Sequence, residues 1–376
     1  MIDAVVADVT PDQAAGLAAD GAQVVPDAAV TMEMGAGTSP HAPSGVFAQV
    51  TGAASEVAAG VTGAGVTVAV VDTGIDPLPD FGSRLAGGVD LSGGGDPFND
   101  EYGHGTFVAG LIAGDGTSSA GQYVGEAPGA GLVSVKVAGA SGVTDVATVL
   151  QGIQWVISNR AALHIGVMNL SLGEDPTQST FTAPLNSAVE AAWQAGVVVV
   201  TSAGNYGPDN GTISKPGDDP LVITAGALDD GGQANPSGFS IPAFSSVGPT
   251  YADGWFKPDL VADGRSVVSV RAPGSTVDVQ NPSAEIGAAN FVGSGTSFSA
   301  AITSGAAALV LQAHPGAQPN EVKGRLLANT RPGPVGNPFV DGHGLLAADL
   351  AIASKPISVS VPSLPGRLLS ALLPST

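Results

Sequence analysis

Val66-Thr67-Val68-Ala69-Val70-Val71 runs straight into Asp72-Thr73-Gly74, and its reading decides the fold. The six residues are apolar but for one threonine, they do not alternate with polar ones, and a tight turn follows. A strand of that kind is buried on both faces, which only a parallel sheet covered by helices provides. The same grammar returns at Leu132-Val133-Ser134-Val135-Lys136-Val137, Gly166-Val167-Met168-Asn169-Leu170, Val197-Val198-Val199-Val200 and Leu221-Val222-Ile223-Thr224. Helical periodicity fills the intervals. Val146, Val149, Leu150, Ile153, Val156 and Ile157 mark one face of a helix that follows Thr144 and ends near Arg160. Leu185, Ala188, Val189 and Ala192 mark another, stopped by Gly196. This alternation predicts an α/β fold, a doubly wound and mostly parallel sheet flanked by helices, with right-handed crossovers. Functional groups then belong at the carboxyl ends of the strands.

Composition agrees and narrows the chemistry. Of 376 residues, 44% are hydrophobic and 12% charged, enough for one large core or two ordinary ones. Gly 54 and Pro 28 punctuate the apolar runs and imply many short loops. The net charge of −21 repels phosphate backbones and anionic lipid, so nucleic acid is not an expected partner. With no cysteine, disulfides and thiol chemistry are excluded. Met1-Ile2-Asp3-Ala4 lacks the basic and apolar regions of a signal peptide, and there is no uninterrupted apolar run of roughly 18 or more residues, so no membrane span is expected.

The ends read differently from the middle. In residues 1–34, Val5-Val6-Ala7-Asp8-Val9 and Gln23-Val24-Val25-Pro26-Asp27 are expected as strands. Between them a helix should run from Gln13 to Ala19, entered by Thr10-Pro11 and stopped by Gly21. This unit is too small to fold alone. Residues 35–60 read as a connector, helical somewhere in residues 44–58. Residues 353–376, with Pro356, Pro362, Pro365 and Pro374, read as a flexible tail.

Four residues satisfy the strand-end rule in suggestive surroundings. Asp72 ends its strand, where a buried acid is costly unless paired. His104, in Gly103-His104-Gly105-Thr106, opens an apolar helix that would disfavour its charged form. Asn205 follows a strand in Ser202-Ala203-Gly204-Asn205. Ser297, in Gly295-Thr296-Ser297, stands beside the unpaired N–H groups and positive dipole end of a helix start. Singly, each has a plain reading: a capping acid, a structural histidine, a turn asparagine, a capping serine. Jointly they supply the orienting carboxylate, base, oxyanion donor and nucleophile of acyl transfer.

The chain order Asp, His, Ser is the one found in subtilisin. The sequence resembles the subtilisin-like (subtilase) serine protease family in Val70-Val71-Asp72-Thr73-Gly74-Ile75-Asp76, His104-Gly105-Thr106 with Val108-Ala109-Gly110, Asn169-Leu170-Ser171-Leu172-Gly173, Gly204-Asn205 and Gly295-Thr296-Ser297. The resemblance implies a catalytic domain over residues 61–352 and a secreted, monomeric endopeptidase made as a zymogen. Asp72, His104 and Ser297 would be catalytic, with Asn205 as oxyanion donor. Protein or peptide substrate would lie extended between Gly142-Val143-Thr144 and Ser171-Leu172-Gly173. Ser202, Ala203 and Gly204 would bound the S1 pocket, with Ser214 near its base, and Val146, Val149 and Leu172 would line S4. A medium-to-large apolar P1 residue is expected.

Residues 1–34 resemble the C-terminal half of the family's propeptide, an intramolecular inhibitor, without its first half. Cleavage is expected between Val30 and Gly35, after Met34 in the first instance. No cofactor is implied for the chemistry. For structural calcium, Asp76, Asp80, Asp96, Asp100 and Asp115 offer oxygens without the spacing of a dedicated loop, and solvated carboxylates are the plainer reading.

Departures from the family pattern cluster behind the expected site. Phe107 replaces a second histidine, Phe298 a methionine, Ala301-Ile302 a proline and histidine, and Asp263 a proline. They leave two rival readings: a non-catalytic or maturation-arrested homologue that binds peptides, and a hydrolase of esters.

Overall fold

A computed structural model describes residues 6–32, 43 and 45–357 of the chain. The N-terminal segment contributes a helix, α1 (Pro11–Ala19), and a strand, β1 (Ala29–Thr31). A reciprocal capping box opens α1, in which Gln13 N–H donates to Thr10 Oγ1 at 3.3 Å and Thr10 N–H to Gln13 Oε1 at 2.8 Å. None of its residues is buried. Neither expected strand forms here. Val6 to Val9 is irregular and exposed, Val5 lies outside the described residues, and Gln23 to Asp27 is irregular with Val24 exposed. The strand is displaced to Ala29–Thr31 because a partner edge exists there.

Helix formation in the connector is split between α2 (Phe47–Val50) and α3 (Ala53–Ala58). Gly52, at φ +81°, breaks the continuous helix that the sequence suggests. Ser44 and residues 35–42 lie outside the described residues.

The central sheet has seven strands, all paired in parallel: β2 (Thr67–Asp72), β3 (Leu85–Asp90), β4 (Gly131–Lys136), β6 (Ile165–Leu170), β7 (Val198–Ser202), β8 (Ile223–Leu228) and β9 (Leu260–Asp263). The order is β3-β4-β2-β6-β7-β8-β9. The chain builds outward from β2 in both directions, so the topological switch lies beside β2 and the crevice opens at its carboxyl end. The apolar runs locate five of the strands. They miss β3, whose Gly87-Gly88 weakens the pattern at a half-exposed edge, and β9, a short strand ending in the acid Asp263. Between β4 and β6 lies β5 (Val143–Asp145), which pairs antiparallel with β1. A small antiparallel sheet is formed by β10 (Val267–Val270), β11 (Glu285–Ile286) and β12 (Asn290–Gly293).

The helices make the two covering layers. One contains α4 (His104–Ala113) and, beyond α5 (Val146–Asn159), α6 (Pro184–Gln194) and the short α7 (Thr276–Gln280), the long α8 (Thr296–Ala313). There α8 packs across β6, β7, β8 and β9 and against α4. The other layer is α5 against α6, with α5 over β2, β4 and β6. By length and composition α8 could cross a membrane, but it is the core helix of this fold, buried from Thr296 through Val310. Two further helices, α9 (Pro319–Ala328) and α10 (Ala348–Ala353), pack on α8. The tail from residue 358 onward lies outside the described residues.

Candidate active site

Asp72 is the last residue of β2 and is fully buried. Both its oxygens reach His104 Nδ1, Oδ1 at 2.8 Å and Oδ2 at 2.9 Å. The backbone N–H of Thr73 also donates to Oδ1 at 2.8 Å. A buried acid with these partners is the paired group that its cost demands. His104 opens α4 and is itself fully buried. With Nδ1 committed to the carboxylate, Nε2 is the ring nitrogen left open, and no hydrogen-bond partner reaches it among the described residues.

Ser297 is the second residue of α8. The capping position belongs to Gly295, which makes no side-chain cap, so the plain reading of Ser297 as a cap does not hold. Its hydroxyl donates to the Ser171 carbonyl at 3.2 Å, and the Ser171 hydroxyl donates back to the Ser297 carbonyl at 2.8 Å. The helix that carries Ser297 packs against α4, which carries His104, and no bond runs from Ser297 Oγ to Nε2. The adjoining Phe298 ring lies 5.8 Å from the His104 ring. A turn about χ1 is all that separates a serine hydroxyl from a different partner.

Asn205 lies just past β7. Its side-chain oxygen accepts from Thr296 N–H at 2.9 Å and Thr296 Oγ1 at 3.1 Å, while Gly204 N–H donates to Thr296 Oγ1 at 3.1 Å. This fixes which way round the amide lies and satisfies the first orphan N–H of α8. Thr296 is therefore a supporting residue that sequence reasoning missed.

The segments Gly142-Val143-Thr144 and Ser171-Leu172-Gly173 flank a groove, and the chain's own β1 lies in it. Thr31 N–H donates to the Gly173 carbonyl at 3.2 Å and Gly173 N–H to the Thr31 carbonyl at 3.3 Å. On the other side Ala29, Val30 and Thr31 pair with Asp145, Thr144 and Val143, and Met32 N–H donates to the Gly142 carbonyl at 2.9 Å. Val30 and Met32 are buried and Ala29 is exposed, the period-two pattern of a strand seated in a groove. Val30 joins the same apolar core as Val146, Val149 and Leu172.

Next to this strand is a cleft lined by Thr31, Leu172, Ser202, Tyr206, Ser214 and Ser297. Ala203 is buried behind it, and its carbonyl accepts from Ser214 N–H at 2.9 Å. Ser214 Oγ would meet a Cβ placed on either Gly173 or Gly204 at 2.8 Å, so it sits where the two walls converge. Tyr206, 47% exposed, stands at the rim and carried no sequence signal of its role.

Behind His104 the altered residues pack together. Phe107 and Phe298 have ring centroids 4.5 Å apart and are buried. Ala301 and Ile302 are buried in the core with them.

No group of three or more metal-ligating side chains occurs among the described residues. The acids considered for calcium already have donors: Asp76 accepts from Asp100 N–H, Asp80 from Ser118, Asp96 from Phe98 N–H, Asp115 from Thr117 N–H, and Asp100 from Gly103 and Thr106 N–H.

Comparison with known proteins is consistent along most of the chain. The model of the Subtilase family (peptidase S8) matches residues 63–355. Serine protease AprX of Bacillus subtilis (strain 168) is 42% identical over 297 residues, 78% of this chain and 67% of that protein. Subtilisin NAT of Bacillus subtilis subsp. natto is 35% identical over 295 residues, again 78% and 67%. The chain thus spans about two thirds of the length of these curated relatives. Among solved structures, a cold-adapted subtilisin-like serine proteinase is 30% identical with a TM-score of 0.57, covering 76% of this chain and 88% of that one. Fervidolysin from Fervidobacterium pennivorans, a keratinolytic enzyme related to subtilisin, is 27% identical with a TM-score of 0.66, covering 83% and 46%.

Proposed function

Because the chain belongs to the subtilase family and is a serine protease, a hydrolase, we propose that it is an endopeptidase acting through an acyl-enzyme and made as a zymogen. In this reading Ser297 turns from Ser171 toward His104 Nε2, gives up its proton there and attacks the peptide carbonyl. Asp72 holds the ring through Nδ1 and stabilises the imidazolium. The Asn205 amide and the Ser297 N–H take the oxyanion. His104 then returns the proton to the leaving amine, and water, activated by the same imidazole, releases the acyl group. No cofactor takes part in these steps.

The observation that carries the reading is the seat of β1. An extended segment adds a strand to β5 on one side and bonds Gly173 on the other, the geometry of peptide recognition by β-augmentation. Its occupant supports assigning residues 1–34 as an inhibitory pro-segment ahead of a catalytic domain over residues 61–352. The maturation cut would fall downstream of Met32 and before Gly35. Met34 and Gly35 are outside the described residues. A secreted, monomeric enzyme with an apolar P1 preference completes the proposal.

The turned-away Ser297 hydroxyl and the filled groove favour one second reading, a maturation-arrested homologue that binds peptides. Intact mass with and without a serine-directed fluorophosphonate separates the two. One adduct on the wild type, none on Ser297→Ala, and loss of about the first thirty-odd residues, as the pro-segment reading expects, support the protease. A full-length mass without adduct supports the binding protein.

A further inference from the structure

Three buried elements at the start of α4 have no part in the acyl-transfer steps: Asp100, Thr73 and the helix's own unpaired N–H groups. Gly103 caps α4 at φ +101° and has no side chain to bond with. The orphan donors of the first turn are met from elsewhere. Thr106 N–H donates to Asp100 Oδ2 at 2.7 Å, and Gly105 N–H donates to Thr73 Oγ1 at 2.9 Å. Gly103 N–H donates to Asp100 Oδ1 at 2.7 Å. Asp100 therefore clamps the turn that carries His104 from both sides of it.

Thr73 links this clamp to the neighbouring carboxylate. Its hydroxyl has one proton and two acid oxygens within reach, Asp100 Oδ1 at 2.7 Å and Asp72 Oδ1 at 3.3 Å. The shorter contact takes the proton. Asp72 Oδ1 keeps the Thr73 N–H and otherwise turns its charge on His104. Asp100 is fully buried; burial raises its carboxyl above the usual range, and hydrogen bonds from Gly103, Thr106 and Thr73 act against that by favouring the charged form.

We propose that Asp100 is a positioning residue for the His104–Asp72 pair, clamping the first turn of α4 and drawing the Thr73 proton away from Asp72. This rests on the reading of His104 as general base. Other charges face the same region. From the β2 loop comes Asp76, which accepts from Asp100 N–H at 2.8 Å. From the end of β4 comes Lys136, paired with Glu101 at 3.0 Å. From β10 and α7 come Arg271 and Asp278, bonded to each other. Each of the last four has its own partner, which leaves Thr73 touching Asp72 and Asp100 acting on it through Thr73.

The test is the pH profile of kcat/KM for the full chain, incubated until its peptidase activity is steady. Asp100→Asn removes a negative charge and lets Thr73 donate to Asp72. Its acidic limb should move down by about half a pH unit, with kcat lower by about tenfold. Thr73→Val takes the hydroxyl proton from Asp100, whose carboxylate then faces the His104–Asp72 pair less neutralised, so its acidic limb should move up. Thr73→Ser, which keeps the hydroxyl, should restore the wild-type profile. A merely structural role predicts lost activity with an unmoved limb, and that result overturns the proposal. Equal shifts of the same sign in Asp100→Asn and Thr73→Val overturn it as well. If Asp100→Asn does not fold, an unmoved or lowered limb in Thr73→Val is the overturning result. A wild type that takes no fluorophosphonate and cuts no peptide overturns the protease reading beneath it.

Discussion

Thr31 and Gly173 exchange both of their backbone hydrogen bonds, N–H to carbonyl in each direction, at 3.2 and 3.3 Å. The pair marks the groove as a strand-receiving edge, and its present occupant is the protein's own N-terminal segment.

Thr31→Pro removes the donor to Gly173 while leaving Val30 in its pocket. Loss of one such bond is worth about 1 kcal/mol, so the segment should hold the groove roughly fivefold less well. The rate of fluorophosphonate labelling of the freshly folded chain should rise by a similar factor. An unchanged rate would mean that the segment does not limit access to Ser297.

The Asn205 amide is held in one orientation by Thr296, so its proposed oxyanion role can be tested without altering Asp72, His104 or Ser297. Asn205→Ala should lower kcat by about 10²–10³ with KM little changed, a magnitude taken from subtilisin's own oxyanion asparagine. Steady-state kinetics on a peptide substrate would check it. A loss confined to KM would place Asn205 in substrate binding instead.

Glu126 lies in the core against Gly305 of α8, with neither oxygen hydrogen-bonded among the described residues. The Thr51 hydroxyl beside it is engaged with Ala48 and Ala53. Burial pushes its carboxyl from 4.5 up to about 8. The folded state therefore binds a proton that the unfolded state releases, and stability falls as pH rises from 4.5 through 8. The loss amounts to several kcal/mol, on the order of 4–5. Asp263, also buried with neither oxygen hydrogen-bonded among the described residues, is pushed in the same direction by the same first cause. Glu126→Gln should flatten the decline of Tm between pH 5 and 8, the interval set by the carboxyl's usual and raised values. Thermal unfolding of the inactive Ser297→Ala background at several pH values would measure this free of self-digestion.

Phe298 fills the space behind His104 and packs at a tilt against Phe107. Phe298→Ala should cost about 3–5 kcal/mol of stability through the cavity it leaves. It should also lower kcat more than it raises KM, because the ring backs the imidazole and not the groove. Denaturant unfolding and kinetics on the same variant would separate the two effects.

Much of the site could be read along the chain because catalytic groups in a parallel sheet sit at fixed places. Asp72 ends β2, Ser171 follows β6, Asn205 follows β7, and His104 and Ser297 begin α4 and α8. Short motifs with turn glycines mark such places, and their order is a property of the sequence alone. The strands of the core were legible for the same reason: burial on both faces leaves no polar alternation. The edges were not. β3 carries Gly87-Gly88, and nothing in Val24-Val25-Pro26-Asp27 says that the pairing residues come later, at Ala29–Thr31.

The sequence by itself determined the α/β class, the family resemblance and the residues that meet at the crevice. These depend on local pattern and on side chains that few positions tolerate. Tertiary structure alone decided which strand edge receives the N-terminal segment, and that the calcium candidates spend their oxygens on nearby donors. It also decided that Thr73 and Asp100, 27 residues apart, share one hydroxyl proton beside Asp72. Hydrogen bonds and ion pairs of this range are set by where distant loops come to rest, and a linear pattern does not record that distance.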